Sequence, residues 1–193
     1  MNTLPATSDV VIVGAGPTGL ALACVLAAEG VSFVLVERFA EGTNTSRAVV
    51  VHARTLEVLE ELEVTDRLLG EGRIVPRFTV RDRDRILVTI RFDRLPTRHP
   101  YTLMIPQNIT EAILLGRLRE LGNDVYRPYS VNDLQQDADG VSVTAAADGQ
   151  QPQTIHARYV VGADGMHSTV RSTPGSVSPA IRTNNPLCSP MSG

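Results

Sequence analysis

The residues best suited to chemistry in this chain stand in one run near its start. Asp9 to Gly19 reads D-V-V-I-V-G-A-G-P-T-G, and Glu37 closes a second apolar run, S-F-V-L-V-E. Glycines at 14, 16 and 19 make the spacing G-x-G-x-x-G, which suits a dinucleotide. Gly14 permits a tight turn, and Gly16 lets backbone N–H groups approach a pyrophosphate. Gly19 lets the following helix pack close to the strand before it. The positive end of that helix then faces the phosphates. A carboxylate at the end of the second strand is placed to accept hydrogen bonds from ribose hydroxyls. Three glycines alone are weak evidence. The strand, helix, second strand and terminal acid in register with them give the motif its weight.

Side chains for catalysis are harder to find. His52, His99, His156 and His167 share no spacing and read as structural or exposed. Cys24 falls in a predicted helix as a small core residue, and Cys188 lies far from it, so the two make neither a metal site nor a disulfide framework. No nucleophile–base pair is apparent, and no catalytic residue is assigned. The 193 residues, 42% apolar and 20% charged, suffice for one sizeable core, or for one large domain and part of another. A net charge of −3 gives no reason to expect nucleic acid or an anionic membrane as partner. The first eight residues hold no Lys or Arg, and the longest apolar stretch, Leu20 to Ala28, is too short to span a bilayer. A reducing cytoplasm is the expected location.

The elements that must position the motif follow from periodicity. Pro17 to Glu29 has Leu20, Ala23, Cys24 and Ala27 at helical spacing and stops at Gly30. The segment F-A-E-G-T-N-T-S reads as a loop. Leu56, Leu59 and Leu62 predict a helix from Thr55, with a further turn over Asp66 to Leu69. Arg77 to Arg81 and Ile86 to Phe92 alternate apolar and charged residues, which predicts a two-stranded antiparallel piece with one wet face. Pro106 to Leu121 returns to helix. Tyr129 to Leu134 and Val141 to Ala147 flank the turn D-A-D-G as a meander, with a third strand near Thr154 to His156. Tyr159 to Ala163 reads as a separate short buried strand, and Gly149 as an exposed turn. An α/β sheet with an antiparallel meander and an inserted β element is not a plain nicotinamide dehydrogenase domain.

Three separated segments resemble one family, the flavin-dependent aromatic hydroxylases (class A flavoprotein monooxygenases of the p-hydroxybenzoate hydroxylase type). They are V-I-V-G-A-G-P-T-G-L with Glu37–Arg38, then S-R-A-V-V-V-H-A-R-T-L-E joined later by I-P-Q-N-I-T-E-A-I-L, then Y-V-V-G-A-D-G-M-H-S-T-V-R. The resemblance implies an α/β fold: a Rossmann-like FAD-binding domain with an antiparallel β-meander and part of an inserted β substrate domain. Residues 1–75 are its first part, 76–103 the partial substrate-domain insertion, 104–171 its continuation and 172–193 an aberrant or disordered tail. FAD is the implied cofactor, and NAD(P)H a transient co-substrate. Gly14, Gly16 and Gly19 would meet the FAD pyrophosphate, Glu37 the adenosine ribose, and Arg38 the adenine end. Arg47 would meet the flavin side of the pyrophosphate, with a guanidinium's charge-assisted bonds. Gln107 would touch FAD from the start of its helix, Val131 would offer its backbone to adenine, and Asp164 would orient groups near the pyrophosphate. Arg47 as a solvated loop cation and Gln107 as a mere helix cap are the plainer readings.

In such enzymes the flavin carries the chemistry and the protein positions the ring and excludes water. The implied partners are a small aromatic substrate and O₂. Two other readings stand beside this one. A different flavoprotein on the same fold is the first, although a halogenase would show W-x-W-x-I-P and this chain has no Trp. A non-catalytic remnant or weak FAD-binding module is the second. The chain also departs from the family: the G-D-A-A-H type segment that follows the last motif is missing. From Ser172 the sequence turns rich in Pro, Ser and Asn without period. A reading frame slipped after Arg171 permits G-I-G-F-P-G-D-T-Y-E-Q-P-F-V-L-A-D-V-R, which looks like the family's continuation. A frameshifted, truncated and inactive product is therefore expected.

Overall fold

A computed structural model describes residues 3–42, 48–166 and 168–172. The chain opens with β1 (Thr7–Val13), α1 (Pro17–Ala28) and β2 (Phe33–Val36), a parallel β-α-β unit with Val10 to Val13 beside Phe33 to Val36. Pro17 occupies the first turn of α1, where its missing N–H removes no helical bond. The helix stops at Gly30, which takes φ +69°, while Gly30 N–H donates to the Ala27 carbonyl and Val31 N–H to that of Leu26. This pairing satisfies carbonyls that the helix end would otherwise orphan.

β3 (Ala48–Val51), α2 (Ala53–Glu60), α3 (Thr65–Glu71) and β4 (Arg73–Val75) follow. Next come β5 (Arg77–Asp82), β6 (Arg85–Arg91), β7 (Thr102–Pro106) and α4 (Gln107–Glu120). The described part ends with β8 (Ser130–Gln136), β9 (Val141–Ala146), β10 (Gln153–Gly162) and the one-turn α5 (Thr169–Ser172). The main sheet has the order β2-β1-β10-β9-β8, parallel at β2-β1-β10 and antiparallel beyond. β3-β7-β4 form a second, antiparallel sheet, and β5-β6 a hairpin of their own.

Alternate residues of β1 serve two cores. Val10 and Ile12 pack with Leu20, Cys24, Leu35 and Leu114, whereas Val11 and Val13 pack with Val34, Val36, Val143 and Ile155. Burial on both faces explains why β1 and β2 are continuously apolar. Each fully buried side chain of this size contributes about 1.5–3 kcal/mol. Cys24 lies wholly inside, its thiol donating to the Leu114 carbonyl at 3.5 Å, and burial pushes its pKa up to about 11. His99 is also buried, held between Glu60 Oε1 (2.9 Å) and the Tyr101 hydroxyl (3.0 Å).

Three features differ from the sequence-based expectations. Residues 154–156 and 159–163 do not form two strands: β10 runs unbroken from Gln153 to Gly162, because His156-Ala157-Arg158 contains no turn-forming residue. Nor is its second half buried. Among the described residues that half pairs with β1 alone, and Tyr159 is 62% exposed. The β5-β6 hairpin is wet on both faces, with every residue of both strands exposed. The sheet β3-β7-β4 is an element that periodicity did not reveal, since its strands span only three to five residues.

Gly116 offers a test of α4. A Cβ there meets nothing within 4 Å among the described residues, so Gly116→Ala should remove backbone entropy without a clash and stabilise the chain by up to about 1 kcal/mol. A rise in Tm of about 2–4 °C is expected. An unchanged or lower Tm would mean α4 does not stand as described.

Candidate functional site

A cavity of about 340 Å³ opens at the carboxyl ends of β1, β2 and β10, where open α/β sheets place their ligands. Gly14, Gly16, Glu37, Arg38, Gln107 and Asp164 all line it. Two backbone bonds hold the strand ends together: Gly14 N–H donates to Val36 O at 2.8 Å, and Ala163 N–H to Val13 O at 2.7 Å. Gly14 has φ +103°, and a Cβ there would lie 2.6 Å from the Ala163 oxygen. A Cβ on Gly19 would collide with the Gly14 carbonyl. Gly16 is different, because nothing among the described residues lies within 4 Å of the position its Cβ would take. Two glycines are thus required by the protein's own packing, and the third leaves open space at the cavity.

Glu37 does more than end a strand. Its Oε2 accepts from Ala15 N–H (2.8 Å) and its Oε1 from Phe39 N–H (3.1 Å). Its own N–H donates to Tyr126 O and its carbonyl accepts from Tyr129 N–H. The carboxylate therefore anchors the glycine turn, a role the sequence reading did not anticipate. A carboxylate has about four lone-pair sites, so capacity remains for ribose hydroxyls. Arg38 stacks on the Phe39 ring, its guanidinium carbon 4.6 Å from the centroid. Gln107 opens α4, but it donates to Glu111 Oε1 (2.8 Å) rather than capping the helix.

The third segment completes the wall. Asp164 Oδ2 accepts from Thr169 N–H (2.6 Å) and Val170 N–H (3.3 Å), so this carboxylate holds the first turn of α5. Ser168 Oγ accepts from Arg171 N–H at 3.0 Å. Asp164 Oδ1 is buried and has no hydrogen-bond partner among the described residues. A buried orphan oxygen on a cavity wall calls for a donor from a ligand or an adjacent cation. With the space at Gly16, it is the observation that makes these residues fit a bound dinucleotide.

Sequence reasoning missed Arg127, Glu41 and Glu111, which also line the cavity. Arg127 donates to the Phe39 carbonyl at 3.2 Å, and its signal was only an Arg-Pro step between α4 and β8. Among the described residues the wall presents Glu37, Glu41, Glu111 and Asp164 against Arg38 and Arg127. An anionic pyrophosphate there must rely on the backbone N–H groups of the turn and the α1 terminus. Val131 is not among the lining residues. It lies in the second core, 8% exposed, on the edge strand β8 opposite Ala145. Arg47 and His167 lie outside the described residues.

A β-α-β unit with its glycine turn, strand-end carboxylate and a cavity at the strands' carboxyl ends defines a Rossmann-like dinucleotide-binding domain. The chain belongs to the family described as FAD binding domain, which matches residues 7–184. It is 44% identical over 169 residues to the 12-dehydrotetracycline 5-monooxygenase/anhydrotetracycline 6-monooxygenase of Streptomyces rimosus, a match covering 86% of this chain and 32% of that one. It is 42% identical to a rifampicin monooxygenase of Streptomyces venezuelae, covering 89% and 34%. Among solved structures, an anhydrotetracycline hydroxylase of Streptomyces rimosus superposes with a TM-score of 0.77 at 41% identity, over 86% of this chain and 33% of that one. The chain spans about a third of the length of the curated relatives it matches. No described helix is long and apolar enough to cross a membrane.

Proposed function

We propose that this chain is the FAD-binding portion of an NAD(P)H-dependent flavin monooxygenase that hydroxylates an aromatic or polyketide-like small molecule in the cytoplasm. The cavity built jointly by the glycine turn, Glu37 and Asp164 carries this reading. The FAD pyrophosphate lies against the turn of Gly14 to Gly19, and Glu37 accepts from the adenosine ribose. Arg38 meets the adenine end, Gln107 touches FAD from the start of α4, Asp164 Oδ1 receives a donor, and the family resemblance assigns Arg47, outside the described residues, to the flavin side of the pyrophosphate. Val131, on the edge strand β8, offers its backbone to adenine. Bound FAD would supply the redox chemistry of oxygen transfer from O₂, with NAD(P)H as reductant. The protein's part is to bind the cofactor, orient it and exclude water. Residues 76–103, with the exposed β5-β6 hairpin, are the portion of the substrate-facing unit that this chain carries, between FAD-binding parts at 1–75 and 104–171.

A second reading has its own support. Among the described residues the β5-β6 hairpin has no covered face, which favours a flavin-binding module without turnover of its own.

Glu37→Ala tests the cofactor assignment. It removes the acceptor for the ribose and frees Ala15 N–H, so FAD should bind more weakly by about 1–3 kcal/mol. ADP, which carries the same ribose, should weaken in parallel. An analogue with a 2′-phosphate on that ribose should be rejected by the parent chain, because two anions would meet at short range. Unchanged FAD affinity in the variant, measured by flavin fluorescence titration, would overturn the assignment.

A further inference from the structure

Phe39 is the only aromatic side chain among the described residues that line the cavity at the glycine turn. It is 43% exposed and belongs to neither core. Little protein stands behind its segment, since Glu41, Gly42 and Arg127 line both this cavity and a second one of about 510 Å³. The residue is nevertheless held at three points. Phe39 N–H donates to Glu37 Oε1 at 3.1 Å, and its carbonyl accepts from Arg127 Nη1 at 3.2 Å. The Arg38 guanidinium lies over the ring, 4.6 Å from the centroid. Arg127 is itself in a fixed segment: Tyr126 N–H donates to Leu35 O, Glu37 N–H to Tyr126 O, and Tyr129 N–H to Glu37 O. An exposed phenyl so braced, with a cation against one face, presents the other to a planar ligand.

We propose that Phe39 is the platform on which the cofactor's adenine stacks, and that Arg127 is the positioning residue that holds this platform in place. The proposal rests on the FAD reading of the cavity and adds two side chains to its adenosine end. Glu37, two residues before Phe39, has acceptor capacity left for ribose hydroxyls, and the base is joined directly to that ribose. A base stacks on an aromatic ring through its own π-face, and a purine offers more area for this than a pyrimidine. Arg127 acts before binding. By fixing the Phe39 carbonyl it orders the wall in advance, so that less ordering is required when the base arrives. Arg38 keeps its place at the adenine end, against the far face of the ring.

The test compares ADP with UDP, which share ribose and pyrophosphate and differ in the base, by calorimetric titration of the 193-residue chain. Phe39→Leu keeps an apolar side chain and removes the ring, so ADP should bind about tenfold more weakly and UDP should lose less. Phe39→Tyr should bind ADP as the parent does. Arg127→Ala should weaken ADP about threefold or more, and Arg127→Lys, whose ammonium can also donate to the Phe39 carbonyl, should recover most of that loss. Phe39 and Arg127 are both exposed, so every variant should retain the parent's circular dichroism. The chain has no Trp, so Phe39→Trp installs a single fluorophore that ADP should quench, and adding Arg127→Ala should reduce the quenching. Equal losses for ADP and UDP in Phe39→Leu, or no loss, would overturn the platform and leave the FAD reading standing. Arg127→Ala binding ADP as the parent does would overturn the role of Arg127. A parent chain that binds neither ADP nor FAD would overturn the FAD reading, and this inference with it.

Discussion

Gly16→Val should fold as the parent does and lose FAD, whereas Gly19→Val should fail to fold at all. The two glycines belong to one motif, but the structure gives them different partners. At Gly19 a Cβ meets the Gly14 carbonyl, and Ala163 stands behind it at 3.3 Å. That contact is backbone on backbone, so it cannot be relieved by a rotamer change, and the α1-β1-β10 junction must open. Overpacking of this kind costs about 1–3 kcal/mol where side chains can yield, and more where they cannot. At Gly16 the backbone has φ −71° and the space beyond is open, so valine costs the fold little. It fills the volume that a pyrophosphate needs and directs a methyl group where backbone N–H groups must reach the phosphates. Circular dichroism and flavin absorbance on both variants separate the cases. Gly16→Val retaining FAD would show that the cavity is not the cofactor's, and Gly19→Val folding normally would show that the α1-β1-β10 junction tolerates a side chain there. Gly149 is a poor control, since its φ of +73° strains any other residue. Gly116, free of contacts and helical, serves instead.

Most of the α/β framework was legible because its signals are local. The apolar runs of β1 and β2, the Pro17 start and Gly30 stop of α1, and the 3.6-residue period of α4 each lie within one window. The cavity's glycines were legible for the same reason. What the sequence hid was relational. Glu37 reads as a strand-end acid, and only the folded chain shows it accepting from Ala15 and Phe39. Arg127 lies 89 residues beyond Arg38, and its place on the same wall depends on the segment from Tyr126 to Tyr129 running beside Glu37. Gly14 reads as a turn glycine, yet its closest constraint is Ala163, far along the chain. The burial of Tyr159 to Gly162 was misjudged because a period cannot say whether a neighbouring strand is present. An apolar strand reads the same whether paired on one side or two.

That missing neighbour bears on the largest functional effect expected. The 193-residue chain, loaded with FAD, should hydroxylate nothing. Oxygen transfer through a flavin needs a site that excludes water, and the surfaces that would close one here are open. Phe78, Val80, Val88 and Ile90 lie on one face of the β5-β6 hairpin, paired as Phe78 with Ile90 and Val80 with Val88, and each is 40% exposed or more. A two-stranded hairpin holds no ring pocket by itself, and an apolar face of this kind left uncovered favours association. Reductant should therefore be consumed, if at all, with electrons passing to O₂ and no hydroxyl appearing on any aromatic or polyketide-like compound offered. Pairing NAD(P)H and O₂ consumption with product analysis decides the matter. Hydroxylated product above background from the chain alone would show that the exposed hairpin suffices as a substrate wall. Product appearing only when the unmatched part of a relative is added would tie turnover to the covering of that face.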